Sequence, residues 1–242
     1  MIDDWLRMID EIINKNIVLT LWLSLSFSLF GQDWPDLNHY RAHNAKLGLP
    51  GANENRIVFM GNSITEGWST VLPEYFSEKS YVNRGISGQT TPQMLVRFRA
   101  DVIDLKPKAV VILAGTNDIA GNTGPATVKM IADNIISMAE LARENNILVV
   151  ISSVLPVYDY SWKPGLEPVP KISKLNEIIK NYAVNHRHTY LDYYAAMVDD
   201  KKGLDEKYTS DGVHPNKAGY KVMTTLAEQA IAKTLDYARL KK

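Results

Sequence analysis

The sequence predicts an α/β domain whose parallel sheet is covered by helices on both faces. Three observations carry that expectation: five short apolar or β-branched runs, helix-period stretches between them, and turn-forming residues at the junctions. Strands buried on both faces read as near-continuous apolar runs, and parallel neighbours need a crossover that is usually helical. In such a sheet, ligands sit outside the carboxyl ends of the strands.

In chain order, residues 1–31 stand apart. "IVLTLWLSLSFSLFGQ" is an apolar run with interspersed Ser and Thr that ends beside the small residue Gly31. It is short for a membrane span and resembles the core of an export signal. Upstream, Asp3, Asp4, Asp10 and Glu11 outnumber Arg7 and Lys15, whereas an export signal normally begins basic. The expectation is a cleaved signal over 1–31 and a single domain over 32–242, with an amino-terminal anchor or a buried helix as alternatives for the first segment.

A polar lead-in, "DWPDLNHYRAHNAKLGLPGANEN", precedes a first strand expected over 56–60. The other four are expected over 81–86, 109–114, 147–154 and 189–191. In "TTPQMLVRFRADVIDL", Pro92 behind Thr91 marks a helix start, with Leu95, Phe98, Val102 and Leu105 on one face. Gly124-Pro125 is expected to open a helix with the stripe Val128, Ile131, Ile135 and Met138. Ile172, Leu175, Ile179 and Tyr182 form a third stripe, and Pro215 is expected to open a last helix carrying Val222, Leu226 and Ala230.

The 242 residues are 45% hydrophobic and 22% charged, enough for a sizeable core. Basic and acidic residues are equal at 27 each; without the four acids and two bases of 1–31, the remainder carries +2. A nearly neutral chain has no global field to hold nucleic acid or an anionic membrane, so a small or locally recognised ligand is expected. Cysteine is absent, which excludes disulfides, thiolate metal sites, cysteine nucleophiles and a lipid-modified cysteine within these residues.

The first strand runs directly into Gly61-Asn62-Ser63. Such a serine stands at the sheet's carboxyl edge with its N–H open to an oxygen anion, although Gly, Asn and Ser also make strand-to-helix turns with no chemistry at all. Three further segments change the balance. "NRGISGQTT" places Gly88 after the second strand, "ILAGTNDIAGN" places Asn117 after the third, and "TSDGVHPNKAGY" places Asp211 and His214 before the last helix.

"GNSIT", "SGQT", "GTND" and "DGVHP", in this order, resemble the four blocks of the SGNH/GDSL hydrolase family. The resemblance runs through nearly all of the chain after residue 31. It implies a three-layer α/β/α sandwich on a five-stranded parallel, flavodoxin-like sheet, and ester cleavage with no cofactor or metal. It also implies Ser63 as nucleophile, Asp211 and His214 as the rest of a triad, and an oxyanion hole from Ser63, Gly88 and Asn117.

Elementary chemistry agrees with each role. A serine hydroxyl needs a base to take its proton, His214 supplies one near neutral pH, and Asp211 can hold the imidazole in one tautomer. Pro215 disfavours helical geometry at His214 and so presents the ring from a loop. The N–H groups of Ser63 and Gly88 and the Asn117 amide would face the developing oxyanion, where losing one donor costs about 2.7–4 kcal/mol. Asn62 departs from the family's usual Asp: the turn-bracing acceptor survives and a charge beside Ser63 is lost. Asp118 reads as a loop brace.

His39, His43, His186 and His188 do not have the spacing of a metal site. Tyr158, Tyr160 and Trp162, in the loop after the fourth strand, would either wall the site or pin the loop, and Trp68 is open to the same two readings. The expected activity is removal of a short acyl group, acetyl foremost, from a carbohydrate or similar polar ester. A lysophospholipase, thioesterase or platelet-activating-factor-acetylhydrolase-like lipid esterase is the alternative, and a noncatalytic glycan-binding domain is the rival from another class. The expected partner is a small-molecule or glycan ester, with no nucleic acid and no stable membrane span in the mature chain; oligomeric state is left open.

Overall fold

The computed structural model describes residues 33–239 together with Trp5, Arg7 and Met8. The export-signal reading of 1–31 therefore falls outside the described residues, those three apart. Among the described residues, no helix is long and apolar enough to cross a membrane. Contacts divide the chain after Trp34, and the sheet lies in the unit that begins at Pro35.

Five parallel strands, β1 (Ile57–Gly61), β2 (Tyr81–Gly85), β3 (Ala109–Leu113), β4 (Leu148–Ser152) and β5 (Thr189–Leu191), form one sheet in the order β2-β1-β3-β4-β5. This is the flavodoxin-like order, with its switch point between β1 and β3. Strand β5 matches its expected limits, and β1 is displaced one residue later than expected. The other three, β2, β3 and β4, end a residue or two inside theirs, because flanking backbone finds other partners. Val154, for example, exchanges both of its backbone groups with the Asn176 side chain, at 2.8 and 3.0 Å.

Successive residues of each strand point to opposite faces, and this divides the interior into two cores. On one face Val58, Met60, Val110, Ile112, Val149 and Ile151 pack against α4 (Thr91–Asp101), α6 (Val128–Glu144) and α7 (Pro168–Asn185). On the other, Ile57, Phe59, Ala109, Val111 and Val150 meet α2 (Ser63–Val71), α3 (Glu74–Ser77), α8 (Tyr193–Met197) and α9 (Lys217–Arg239). Two further short helices are α1 (Arg41–Leu47), before the sheet, and α5 (Thr116–Ile119), after β3.

Three expected helix starts shift, each for a capping reason. Helix α4 begins at Thr91, with Thr90 and Gln93 forming a reciprocal capping box, and stops at Asp101; Ile103–Leu105 is a separate 3-10 turn. Helix α6 begins at Val128 and not at Pro125, because Thr127 accepts the Met130 N–H at 3.2 Å. Helix α9 begins at Lys217: Pro215 bridges Thr209, and Asn216 Oδ1 accepts the N–H groups of Ala218 and Gly219.

Two glycines let α2 approach the strand ends. A Cβ on Gly85 would lie 2.1 Å from the Glu66 nitrogen and 2.7 Å from the Asn62 oxygen, and one on Gly61 would lie 2.0 Å from Thr65 Oγ1. The same strand ends are tied to α4 by the buried Arg97, whose Nη2 donates to the carbonyls of Gly61 and Arg84, both at 2.9 Å. Its remaining bonds go to Gln89 Oε1 at 2.5 Å and Asp101 Oδ2 at 2.9 Å.

Candidate active site

Gly61 pairs in register with Gly85 on one side and Leu113 on the other. The turns after β1, β2 and β3 therefore leave the same sheet edge at the topological switch point. Ser63 is the half-buried first residue of α2, and Asn62 caps that helix by accepting the Ile64 N–H at 3.0 Å. Asn62 Nδ2 is buried with no hydrogen-bond partner among the described residues, so the brace is retained while its donor end is unused, at a cost of about 1–3 kcal/mol.

His214 reaches this edge from 151 residues along the chain, with Nε2 2.9 Å from Ser63 Oγ. Its Nδ1 lies 2.7 Å from Asp211 Oδ2, while Asp211 Oδ1 accepts the N–H groups of Val213 at 2.9 Å and His214 at 2.7 Å. Partial burial pulls the Asp211 carboxyl upward, but the His214 amide and ring and the Val213 amide outweigh it and hold it down to about 2. An anionic Asp211 keeps the proton on Nδ1 and leaves the Nε2 lone pair facing Ser63. Thr209 Oγ1 donates to the His214 carbonyl at 2.8 Å and closes the turn.

Gly88 has a φ of +77°, a backbone region that favours glycine, and a Cβ there would meet no protein atom within 4 Å. Glycine is thus required by the backbone rather than by crowding from the protein. Asn117 is buried in α5 and donates through Nδ2 to the Gln89 carbonyl at 3.0 Å, which leaves its second amide hydrogen. Asn122 Nδ2 reciprocates by donating to the Gly88 carbonyl at 3.1 Å, so the turns after β2 and β3 are cross-tied.

Asp118 is a brace. Its carboxylate accepts the Thr91 N–H at 3.0 Å and the Thr91 hydroxyl at 2.5 Å, and Asn134 donates to that hydroxyl oxygen at 3.0 Å. Burial pushes its carboxyl up to about 6, against the downward pull of Thr91.

The aromatic residues separate by role. Trp68 lies in the core, stacked on Tyr75 at 5.0 Å and on Tyr220 at 5.7 Å, and does not wall the site. Tyr160 is buried and pins its loop, donating to the Thr116 carbonyl at 2.9 Å. Tyr158 is exposed, with its Cβ 3.0 Å from where a Cβ of Gly203 would stand. Trp162 is exposed, and its ring centroid lies 6.5 Å from that of His214. Sequence reasoning did not single out Thr209, Gln89 or Asn122, whose signal was only their presence inside the quoted blocks. His186 stacks on Tyr182 at 4.0 Å, and His39 pairs with Asp36 at 3.1 Å.

A family model described as the GDSL-like Lipase/Acylhydrolase family matches residues 59–222. The chain belongs to this family, which places it among hydrolases that act on esters. It is 49% identical to a candidate acylhydrolase of Bacteroides fragilis NCTC 9343, whose crystal structure superposes with a TM-score of 0.83 over 85% of this chain and all of that one. It is 29% identical, over 49% of its length, to the uncharacterised lipoprotein YqeF of Bacillus subtilis strain 168. An acetylxylan esterase of Xylanibacter ruminicola is 22% identical over 76% of this chain. The chain spans only 56% and 45% of the lengths of those two curated relatives.

Proposed function

We propose that this chain is a serine esterase that removes short acyl groups, acetyl foremost, from a carbohydrate or similarly polar alcohol. The observation that carries the proposal is the continuous chain Asp211–His214–Ser63, with contacts of 2.7 and 2.9 Å. His214 takes the Ser63 proton as Oγ attacks the acyl carbon, and Asp211 stabilises the imidazolium that results. The oxygen anion of the tetrahedral adduct accepts from the N–H groups of Ser63 and Gly88 and from the Asn117 amide. His214 then gives its proton to the departing alcohol, and a water activated by the same imidazole releases the acid from Ser63.

Acetyl as the acyl group and carbohydrate as the alcohol are supported by the acetylxylan esterase relative. A hydrolysis panel of acetylated oligosaccharides, acyl esters of increasing chain length and acyl thioesters tests both. Falling rates with chain length support the reading, and a preference for long acyl chains or thioesters replaces it with the lipid-esterase or thioesterase alternative. For the serine itself, a fluorophosphonate should label Ser63 covalently, and Ser63→Ala should lose both labelling and at least about a thousandfold in kcat. Turnover that survives this substitution would dismiss the nucleophile, and substrate binding with no turnover in the wild type would favour the glycan-binding rival. Export with removal of 1–31 belongs to the same proposal and is read from the mass of the mature protein.

A further inference from the structure

Resting on the esterase reading, we propose that Trp162 is the surface that binds the alcohol half of the ester, and that this half is a sugar ring. The loop between β4 and α7 is held at three points. Tyr160 is fully buried and bonded through its hydroxyl to both the side chain and the carbonyl of Thr116, each at 2.9 Å. Lys163 Nζ donates to the Ala120 carbonyl at 3.0 Å, and the Asp159 carboxylate accepts the N–H groups of Tyr160 and Gly165, both at 2.9 Å. Thr116 and Ala120 bracket Asn117, so this loop is fastened to the segment that carries one of the oxyanion donors.

Trp162 sits between the Tyr160 and Lys163 anchors and yet remains 50% exposed. Its ring lies 5.2 Å from Tyr160 and 6.5 Å from His214, inclined 30° to the imidazole. A large apolar surface held open on a pinned loop beside reactive groups is the feature expected of a ligand contact.

The chemistry fixes which half of the ester it meets. The departing oxygen must come within hydrogen-bond reach of His214 Nε2, which protonates it, whereas the carbonyl oxygen points to Gly88 and Asn117. A ring flanking His214 therefore meets the alcohol. The C–H face of a pyranose complements the electron-rich face of an indole and leaves the sugar hydroxyls in water at its rim. A greasy alcohol would need a contiguous apolar wall, and residues 161–165, "SWKPG", are all exposed and offer only Trp162 and Pro164. Tyr158 is also exposed but lies outside that run, with its Cβ and backbone nitrogen beside Gly203.

The test compares kcat/KM on an acetylated xylo-oligosaccharide and on ethyl acetate, whose alcohol is too small to cover an indole. Trp162→Ala should lower the ratio of the two at least about tenfold, chiefly through KM for the oligosaccharide, and Trp162→Phe should restore most of it. An unchanged ratio, whether both rates fall together or neither falls, overturns the proposal, since it means that the indole only supports His214 or does nothing. A wild type that hydrolyses ethyl acetate but not the acetylated oligosaccharide overturns it too, while leaving the esterase intact. Failure to hydrolyse either ester, with no labelling of Ser63, overturns the esterase reading itself.

Discussion

Asp211 and Asp118 are both carboxylates beside the proposed chemistry, and their surroundings drive them in opposite directions. Asp211 is held down to about 2, so it stays anionic through the working range and keeps its charge against His214 Nδ1. Asp118, raised by burial from 3.8 to about 6, binds its proton more tightly folded than unfolded. Its contribution to stability is therefore full below about pH 4 and is lost as pH rises through about 6, a change of roughly 2–3 kcal/mol. Asp118→Asn should flatten that part of the curve, as measured by urea unfolding at pH 4, 5, 6 and 7; a wild-type-minus-variant difference constant across the series contradicts the assignment. At this scale the candidate residues were legible, because four short blocks name them. Their supports were not: Thr209 and Asn122 act through bonds to His214 and Gly88 that no local pattern encodes.

Among the elements, α2 and β2 are the pair on which the position of Ser63 rests. Ser63 begins a helix that lies close enough to β2 for a methyl group on Gly85 to strike the Glu66 nitrogen and the Asn62 oxygen. Both are backbone atoms of the turn that carries Ser63, so relief requires moving that turn. Gly85→Ala should destabilise the fold by about 3 kcal/mol and lower kcat in the folded fraction. A denaturation midpoint and kcat both matching wild type would show that the turn can yield. Element type was readable from periodicity, whereas helix starts were less so. Pro125 and Pro215 advertised starts that Thr127 and Asn216 provide instead, because a side-chain acceptor for the first N–H groups outweighs the mere compatibility of proline with a first turn.

Across the whole molecule, the buried Arg97 unites β1, β2 and α4 under the site, and among the described residues its carboxylate partner is Asp101. Asp101 is also held by Asn44 at 2.7 Å, and Asn44 Oδ1 in turn accepts from Arg84 Nε at 2.9 Å, so α1 is joined to the same network. Arg97→Met should cost about 3–5 kcal/mol by leaving Asp101 uncompensated in the interior. The double variant Arg97→Met, Asp101→Asn should recover part of that loss in chemical denaturation. No recovery would mean that the carbonyls of Gly61 and Arg84, rather than the carboxylate, carry the penalty.

By itself the sequence determined the class of the fold, the family, and which few residues were candidates for chemistry, because strand and helix periods and turn formers are properties of contiguous residues. Only the tertiary structure decided that His214 meets Ser63, that Trp68 is core while Trp162 stands beside the imidazole, and that Arg97 and Asn44 knit the strand ends together. Those facts depend on through-space distances of a few ångströms between segments up to 151 residues apart. A one-dimensional pattern carries no information about them until the sheet order brings the segments to one edge.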